Sequence, residues 1–144
     1  MKQLAENRKA RFDYDIKNTF VAGLVLSGAE VKSVKNGNVS LTGSYATITT
    51  TGANLINCHI GPYKYAPNEK YDPTQTRKLL LNQKEINELL HKDKGFTIVP
   101  LEILSTPKGW IKLRLGLGKG RKKTDKREYI KKRDTDRDIK KALN

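Results

Sequence analysis

Trp110-Ile111-Lys112-Leu113-Arg114-Leu115-Gly116-Leu117-Gly118 alternates without a break. In an extended chain Ile111, Leu113, Leu115 and Leu117 fall on one side, and Lys112, Arg114, Gly116 and Gly118 on the other. One face suits a core and the other stays open, as in an antiparallel strand. Upstream, Thr106-Pro107-Lys108-Gly109 reads as a turn. Phe96 to Leu104 reads as a further strand, in which Pro100 marks an edge or a bulge.

Downstream the apolar pattern stops and charge takes over. From Lys119 to Asn144 there are twelve Lys or Arg against five Asp or Glu, a net of +7 in 26 residues. The whole chain of 144 residues carries +14, so the body is as basic as its tail. A solvated, disordered end is one reading of such a run. An arm that pairs its cations with phosphates is the other, and a basic body favours it. The open face of the Trp110–Gly118 strand then turns to solvent or RNA. In a helix the tail gains Glu128–Lys132 and Asp136–Lys140 pairs at i, i+4. Tyr129, Ile130, Ile139, Ala142 and Leu143 give no stripe wide enough to dock on a body. Ordering costs roughly 1–2 kcal/mol per residue, so the tail is expected to be disordered when free. The boundary falls between residues 118 and 119.

The earlier chain adds short strands and helices. Residues 2 to 11 are polar and basic, either a frayed terminus or a second phosphate-facing patch. Phe12–Ile16 and Phe20–Leu26 read as strands. Ala29–Lys35 reads as a short helix, entered at Ser27-Gly28 and left at Asn36-Gly37, with Glu30 in its first turn. Tyr45–Thr50 and Asn54–Ile60 read as a hairpin around Thr51-Gly52-Ala53. Gly61 to Thr76, with Pro62, Pro67 and Pro73, reads as a long surface loop. Its tyrosines Tyr63, Tyr65 and Tyr71 either stack on bases or pin the loop to the body. Arg77–Leu81 reads as a strand. Asn82 and Glu85 form a capping box ahead of Ile86, Leu89 and Leu90. The sum is a mainly β body of about six strands with two or three short helices, which suggests a small barrel.

Catalytic chemistry finds little footing. His59 and His91 are the only histidines, and no spacing makes them an acid–base pair. Cys58 is alone, which excludes an intrachain disulfide and a Cys-rich metal site. Gly116, Gly118 and Gly120 lack the surroundings of a dinucleotide or P-loop motif. Their plain reading is a strand that must bend or let a backbone come close. No apolar run approaches the ~18 residues of a membrane span, and Met1 to Lys9 lacks the apolar stretch of a secretion signal. The expectation is a cytoplasmic, monomeric binding protein without metal, cofactor or membrane.

An ordered set of motifs then resembles the SsrA-binding protein family (SmpB). It comprises Asn7-Arg8-Lys9-Ala10-Arg11, Ala22-Gly23-Leu24, Gly28-Ala29-Glu30-Val31-Lys32-Ser33, Gly37, Ser44-Tyr45 and Asp72-Pro73-Thr74. It continues with Arg77-Lys78-Leu79-Leu80-Leu81-Asn82, Lys119-Gly120-Arg121-Lys122-Lys123 and Asp125-Lys126-Arg127. The resemblance implies a six-stranded antiparallel barrel close to the oligonucleotide-binding fold, with three helices. It implies binding to the tRNA-like domain of transfer-messenger RNA and delivery to stalled ribosomes for trans-translation. The tail is then helical only in the empty mRNA channel near the decoding centre.

Carried over, the RNA-facing residues are Asn7, Lys9, Ala22, Gly23, Glu30, Lys32, Ser33 and Lys119. The ribosome-facing ones are Gly120, Lys122, Lys123, Asp125, Lys126 and Arg127. The chain departs from the family at Phe12, where His is usual, at Val21, where Glu is usual, and at Thr124, where His or Tyr is usual. A structural ribosomal or rRNA-binding protein, and a small ribonuclease using His59 and His91, are the alternatives.

Overall fold

The computed structural model describes residues 1–65, 69–122, 124 and 126–134. Among the described residues up to Gly120, nine strands and three helices run in the order β1 (Lys2–Glu6), α1 (Arg8–Asp13), β2 (Tyr14–Leu24), α2 (Gly28–Lys35), β3 (Val39–Ser40), β4 (Tyr45–Thr49), β5 (Gly52–Ile56), β6 (His59–Ile60), β7 (Arg77–Leu80), α3 (Gln83–Leu90), β8 (Phe96–Ser105) and β9 (Ile111–Gly120). Helical backbone recurs over 126–134.

Seven strands form one antiparallel sheet in the order β1-β8-β9-β2-β7-β5-β4, and β3 pairs with β6 apart from it. The sheet curls until β4 and β8 face each other across a groove lined by Tyr45, Ala46, Ile48, Thr97 and Ile98. No ladder joins them among the described residues, so the barrel is open there, and Leu89 and Leu90 of α3 line the same groove. The expected antiparallel barrel related to the oligonucleotide-binding fold is present, opened at one seam.

The alternation of residues 111–115 is realised as read, but Gly116 and Gly118, expected on the open face, are buried against Leu101, Ile16 and Asp15. Leu113 and Leu115 are fully buried, in the cluster that holds Phe20, Ala22, Leu55, Leu79 and Ile103. The expected capping box forms, Asn82 accepting from the Glu85 N–H at 2.8 Å, and a second one joins Ser27 and Glu30, the Ser27 hydroxyl accepting from the Glu30 N–H at 3.2 Å. Pro100 lies at a bulge, between Pro100 and Glu102, in a strand paired on both sides. The bulge lets Leu101 pack with Val99 under Ala10 of α1.

Five sequence expectations differ. Residues 2–13 hold a strand and a helix. Asn7 caps α1, and β1 pairs with β8, contacts that span the length of the chain. Phe12 and Asp13 therefore belong to α1, and the two strands expected over 12–26 merge into the single long β2. The second arm of the hairpin breaks between Ile56 and His59, where Asn57 takes φ 63°. The tail, expected to be disordered, is helical over 126–134; residues 135–144 lie outside the described residues. β9 also runs to Gly120, past the boundary read at residue 118.

Gly116 and Gly118 serve close approach. A Cβ at Gly116 meets Leu101 Cδ1 at 2.7 Å, whereas one at Gly118 meets the Asp15 carbonyl oxygen at 2.5 Å. A side chain can give way, but a paired strand backbone cannot. Gly118→Ala is therefore expected to destabilise more than Gly116→Ala. The latter costs about 1–3 kcal/mol, the usual range for overpacking, as read by denaturant unfolding.

Candidate nucleic-acid interface

Arg77 begins β7 with its side chain turned inward, 3% exposed, and meets Glu30, 4% exposed, in the first turn of α2. Its Nε donates to Glu30 Oε2 at 2.8 Å. Nη1 donates to the Cys58 carbonyl at 2.6 Å, and Nη2 to the Pro73 carbonyl at 2.9 Å and the Tyr71 hydroxyl at 3.1 Å. Glu30 also accepts from Ser27 N–H at 3.0 Å and Gln75 Nε2 at 3.2 Å. The Tyr71 hydroxyl lies 2.8 Å from the Ile60 carbonyl and 3.1 Å from Glu30 Oε2, so its proton serves one at a time. Burial pushes the Glu30 carboxyl up, but the Ser27 N–H, Arg77 and Gln75 outweigh it and hold the group below its ordinary value. Burial pushes the Cys58 thiol up to about 11, so it stays protonated at neutral pH.

The outer face of the sheet is different in kind. Val21, Gly23 and Val25 follow one another along one side of β2 and its extension, with Val21 and Val25 exposed. On one flank, Arg114 sits opposite Val21 and Lys112 opposite Gly23. On the other, Leu80 sits opposite Gly23, and Val25 N–H bonds the Lys78 carbonyl. Leu80 is 55% exposed. A Cβ at Gly23 would stand 3.2 Å from that of Leu80, so glycine keeps this strip flat. A flat apolar strip edged by Lys78, Lys112 and Arg114 offers sugar and base contacts between phosphate contacts. Arg114 is partly neutralised by Glu102 at 2.6 Å.

The residues singled out in the sequence divide by exposure. Lys9, Lys32 and Lys119 are exposed; the Lys119 Nζ stands 4.9 Å from the Phe96 ring centre. Gly23 lies in the flat strip. Ala22 faces the core. Asn7 is buried; it accepts from Ala10 N–H at 3.2 Å and donates to the Pro100 carbonyl at 3.0 Å. Glu30 is consumed by its cap and by Arg77. Ser33 is buried, and its hydroxyl has no partner among the described residues. Gly120 ends β9 opposite Tyr14. Lys122 and Arg127 are exposed, and Lys126 reaches Asp13. Lys123 and Asp125 lie outside the described residues. Sequence reasoning missed the buried role of Arg77 and the exposure of Leu80. The period-two pattern of Arg77-Lys78-Leu79-Leu80 held a signal for both, since it puts Arg77 with Leu79 and Lys78 with Leu80.

The tail begins by docking. Arg121 N–H donates to the Asp13 carbonyl at 2.7 Å, and Lys126 Nζ reaches the Asp13 carboxylate at 3.2 Å. The Tyr129 ring lies 6.4 Å from that of Phe12, and the Arg121 guanidinium sits 4.4 Å from its centre. One aromatic pair with two cations replaces the wide apolar stripe that the tail lacks.

His59 lies on β6, and His91 caps α3 with Nδ1 2.8 Å from the Asn87 carbonyl. Among the described residues no group of three His, Cys, Asp or Glu gathers to hold a metal. No described helix is long and apolar enough to cross a membrane.

These features define an open antiparallel barrel of the oligonucleotide-binding type, basic throughout and extended by a basic tail. The family model described as SmpB protein matches residues 4–144. The SsrA-binding proteins of Geobacillus thermodenitrificans and Bacillus subtilis are each 46% identical over 144 residues, covering 99% of this chain and 92% of the relative. A solved structure described as "tmRNA-SmpB: a journey to the center of the bacterial ribosome" matches with a TM-score of 0.67 at 41% identity, covering 87% of this chain and 92% of that one. The chain belongs to the SmpB protein family.

Three expectations follow from these contacts. Arg77→Met strands a buried carboxylate and is expected to cost about 3–5 kcal/mol in denaturant unfolding. Because the folded Glu30 carboxyl titrates below its ordinary 4.5, its contribution is complete above that value and disappears as pH falls through the lowered one. The stability gap between wild type and Glu30→Gln should therefore narrow on acidification from pH 7. Tyr129→Ala should release the helix over 126–134, and limited proteolysis should then cut after Arg127 faster while the barrel stays intact.

Proposed function

We propose that this protein binds the tRNA-like domain of transfer-messenger RNA and delivers it to ribosomes stalled without a stop codon. Membership of the SmpB family over residues 4–144 is the observation that carries this reading. It is supported by SsrA-binding relatives at full-length coverage and by the solved tmRNA-SmpB relative. The net charge of +14 suits a polyanionic partner. The reading makes the protein a binder without a catalytic step, acting in the cytoplasm with ribosomes.

Two units share the work. The barrel, through β9, holds the RNA on the flat strip around Gly23, with Lys78, Lys112 and Arg114 on phosphates and Lys9, Lys32 and Lys119 extending the contact. Asn7, Ala22, Glu30 and Ser33 act from beneath, by setting the backbone that the RNA meets. The tail from Arg121 onward serves the ribosome, with Gly120 as the joint and Lys122, Lys123, Asp125, Lys126 and Arg127 turned to the decoding centre and mRNA channel. Thr124 has no ring to stack there, so the cations carry the contact. To reach the channel, the tail leaves its dock on α1; that dock involves Lys126, so the two placements exclude each other.

Deleting Arg121 to Asn144 should leave specific binding of the RNA largely intact, with a smaller salt slope from the lost phosphate contacts. The same deletion should abolish tagging of nascent chains on ribosomes carrying truncated messages. Loss of specific RNA binding by the truncated barrel would refute the division of labour.

A further inference from the structure

The loop between β6 and β7 is anchored near both of its ends. Toward β7 the anchor is Tyr71 and Pro73. Tyr71 reaches Ile60, Glu30 and Arg77, and the Pro73 carbonyl accepts from both Arg77 and the Ile60 N–H. Gly61 N–H donates to the Asn38 carbonyl at 3.0 Å, and Asp72 accepts from Thr74 N–H at 3.0 Å. Of the three tyrosines that either pin the loop or stack, Tyr71 is the one that pins.

Tyr63 and Tyr65 belong to neither hydrophobic cluster. Their rings meet edge to face, with centres 5.4 Å apart at 68°. Tyr65 is 71% exposed. Each ring carries an ammonium: Lys32 of α2 stands 5.4 Å from the Tyr63 centre, and Lys64 stands 4.9 Å from that of Tyr65. A recess lined by Ser27, Ala29, Pro62, Tyr63 and Tyr71 opens beside the pair at the start of α2. A single exposed tyrosine would need no explanation. Two that hold each other, each with its own cation, on a loop braced by a buried ion pair, are arranged for contact.

We propose that Tyr63 and Tyr65, with Lys32 and Lys64, form a stacking platform for unpaired nucleotides of a bound RNA, separate from the flat strip around Gly23. The proposal rests on the RNA-binding reading and adds a second contact to it. Each ammonium lies over one face of its ring, so a base stacks on the other face, chiefly that of the exposed Tyr65, while the ammonium meets an adjoining phosphate, and the platform takes single-stranded RNA with little sequence preference. The cations argue for a polyanion over an apolar protein surface. Arg77 and Glu30 fix the Tyr71–Pro73 end of the loop before any RNA arrives, and the mutual contact of Tyr63 and Tyr65 preorganises the rings.

The test uses the full chain and two probes, a short fluorescein-labelled oligoadenylate and transfer-messenger RNA. Titrations run at raised salt, where phosphate contacts fade and stacking persists. The double variant Tyr63→Leu/Tyr65→Leu should bind oligoadenylate about tenfold more weakly, the scale of one stacked base, with an unchanged unfolding midpoint. The Tyr63→Phe/Tyr65→Phe variant should bind as wild type does. Ultraviolet irradiation of the wild-type complex should leave a nucleotide adduct on the peptide carrying Tyr65. Equal oligoadenylate binding by wild type and the leucine variant, or no binding by wild type, would overturn the platform. Failure of wild type to prefer transfer-messenger RNA over an ordinary tRNA would instead refute the broader reading and leave the oligoadenylate comparison to be judged alone.

Discussion

The Arg77 guanidinium, buried against Glu30, is the constraint on which the rest of the molecule depends. It ties α2, the chain at Cys58, the long loop at Pro73 and the start of β7 to one point. A buried ion pair is weak evidence for stability, since desolvating both charges offsets most of their attraction. Its worth here is geometric. Every Arg77 nitrogen has a partner and both Glu30 oxygens accept, so the segments have one arrangement that leaves no charge stranded. Lys32 is presented by the helix that this pair fixes.

The sheet meets a second constraint, because it has more to cover than a barrel interior. Its inner face closes on one large apolar cluster. Part of its outer face carries α1, seated on Val99 and Leu101 through the bulge at Pro100, and Gly116 and Gly118 make room where Ile16 and Asp15 come close. The outer face around Val21, Gly23 and Leu80 keeps no such cover. Docking by the first turns of the tail adds to the side that α1 already occupies. The structure thus separates a surface left flat and edged with cations from a basic helix held by a few removable contacts, and the proposed division between RNA and ribosome follows that separation.

Much of this was legible in the sequence where the cause is local. Asn82 with Glu85 caps a helix across three residues, Ser27-Gly28 marked the entry of another, and Pro100 announced an edge or a bulge because it cannot donate to a ladder. The alternation from Ile111 to Leu115 gave the inner and outer faces directly. Contacts between distant residues were not legible. Polar residues 2–13 fold because Asn7 reaches Leu101 and Pro100, which no window around Asn7 contains. Glu30 was placed in the first turn of its helix and among the RNA-facing residues, while its pairing with Arg77, far along the chain, was not visible. The tail was expected to be disordered for want of an apolar stripe, while Phe12 and Tyr129 suffice with two cations. The motif resemblance carried family and function, but exposure sorts its residues: Lys9, Lys32 and Lys119 are exposed, and Asn7, Ala22, Glu30 and Ser33 are buried.

The identity of the bound RNA tests the central claim most directly. The tagged chain would be purified from bacterial lysate at moderate salt and the RNA that accompanies it sequenced. The account predicts strong enrichment of one RNA with a tRNA-like end and a short internal reading frame, with ribosomal RNA far below one copy per protein. Ribosomal RNA in proportion to subunits, with no such enrichment, would contradict it and favour a structural ribosomal role.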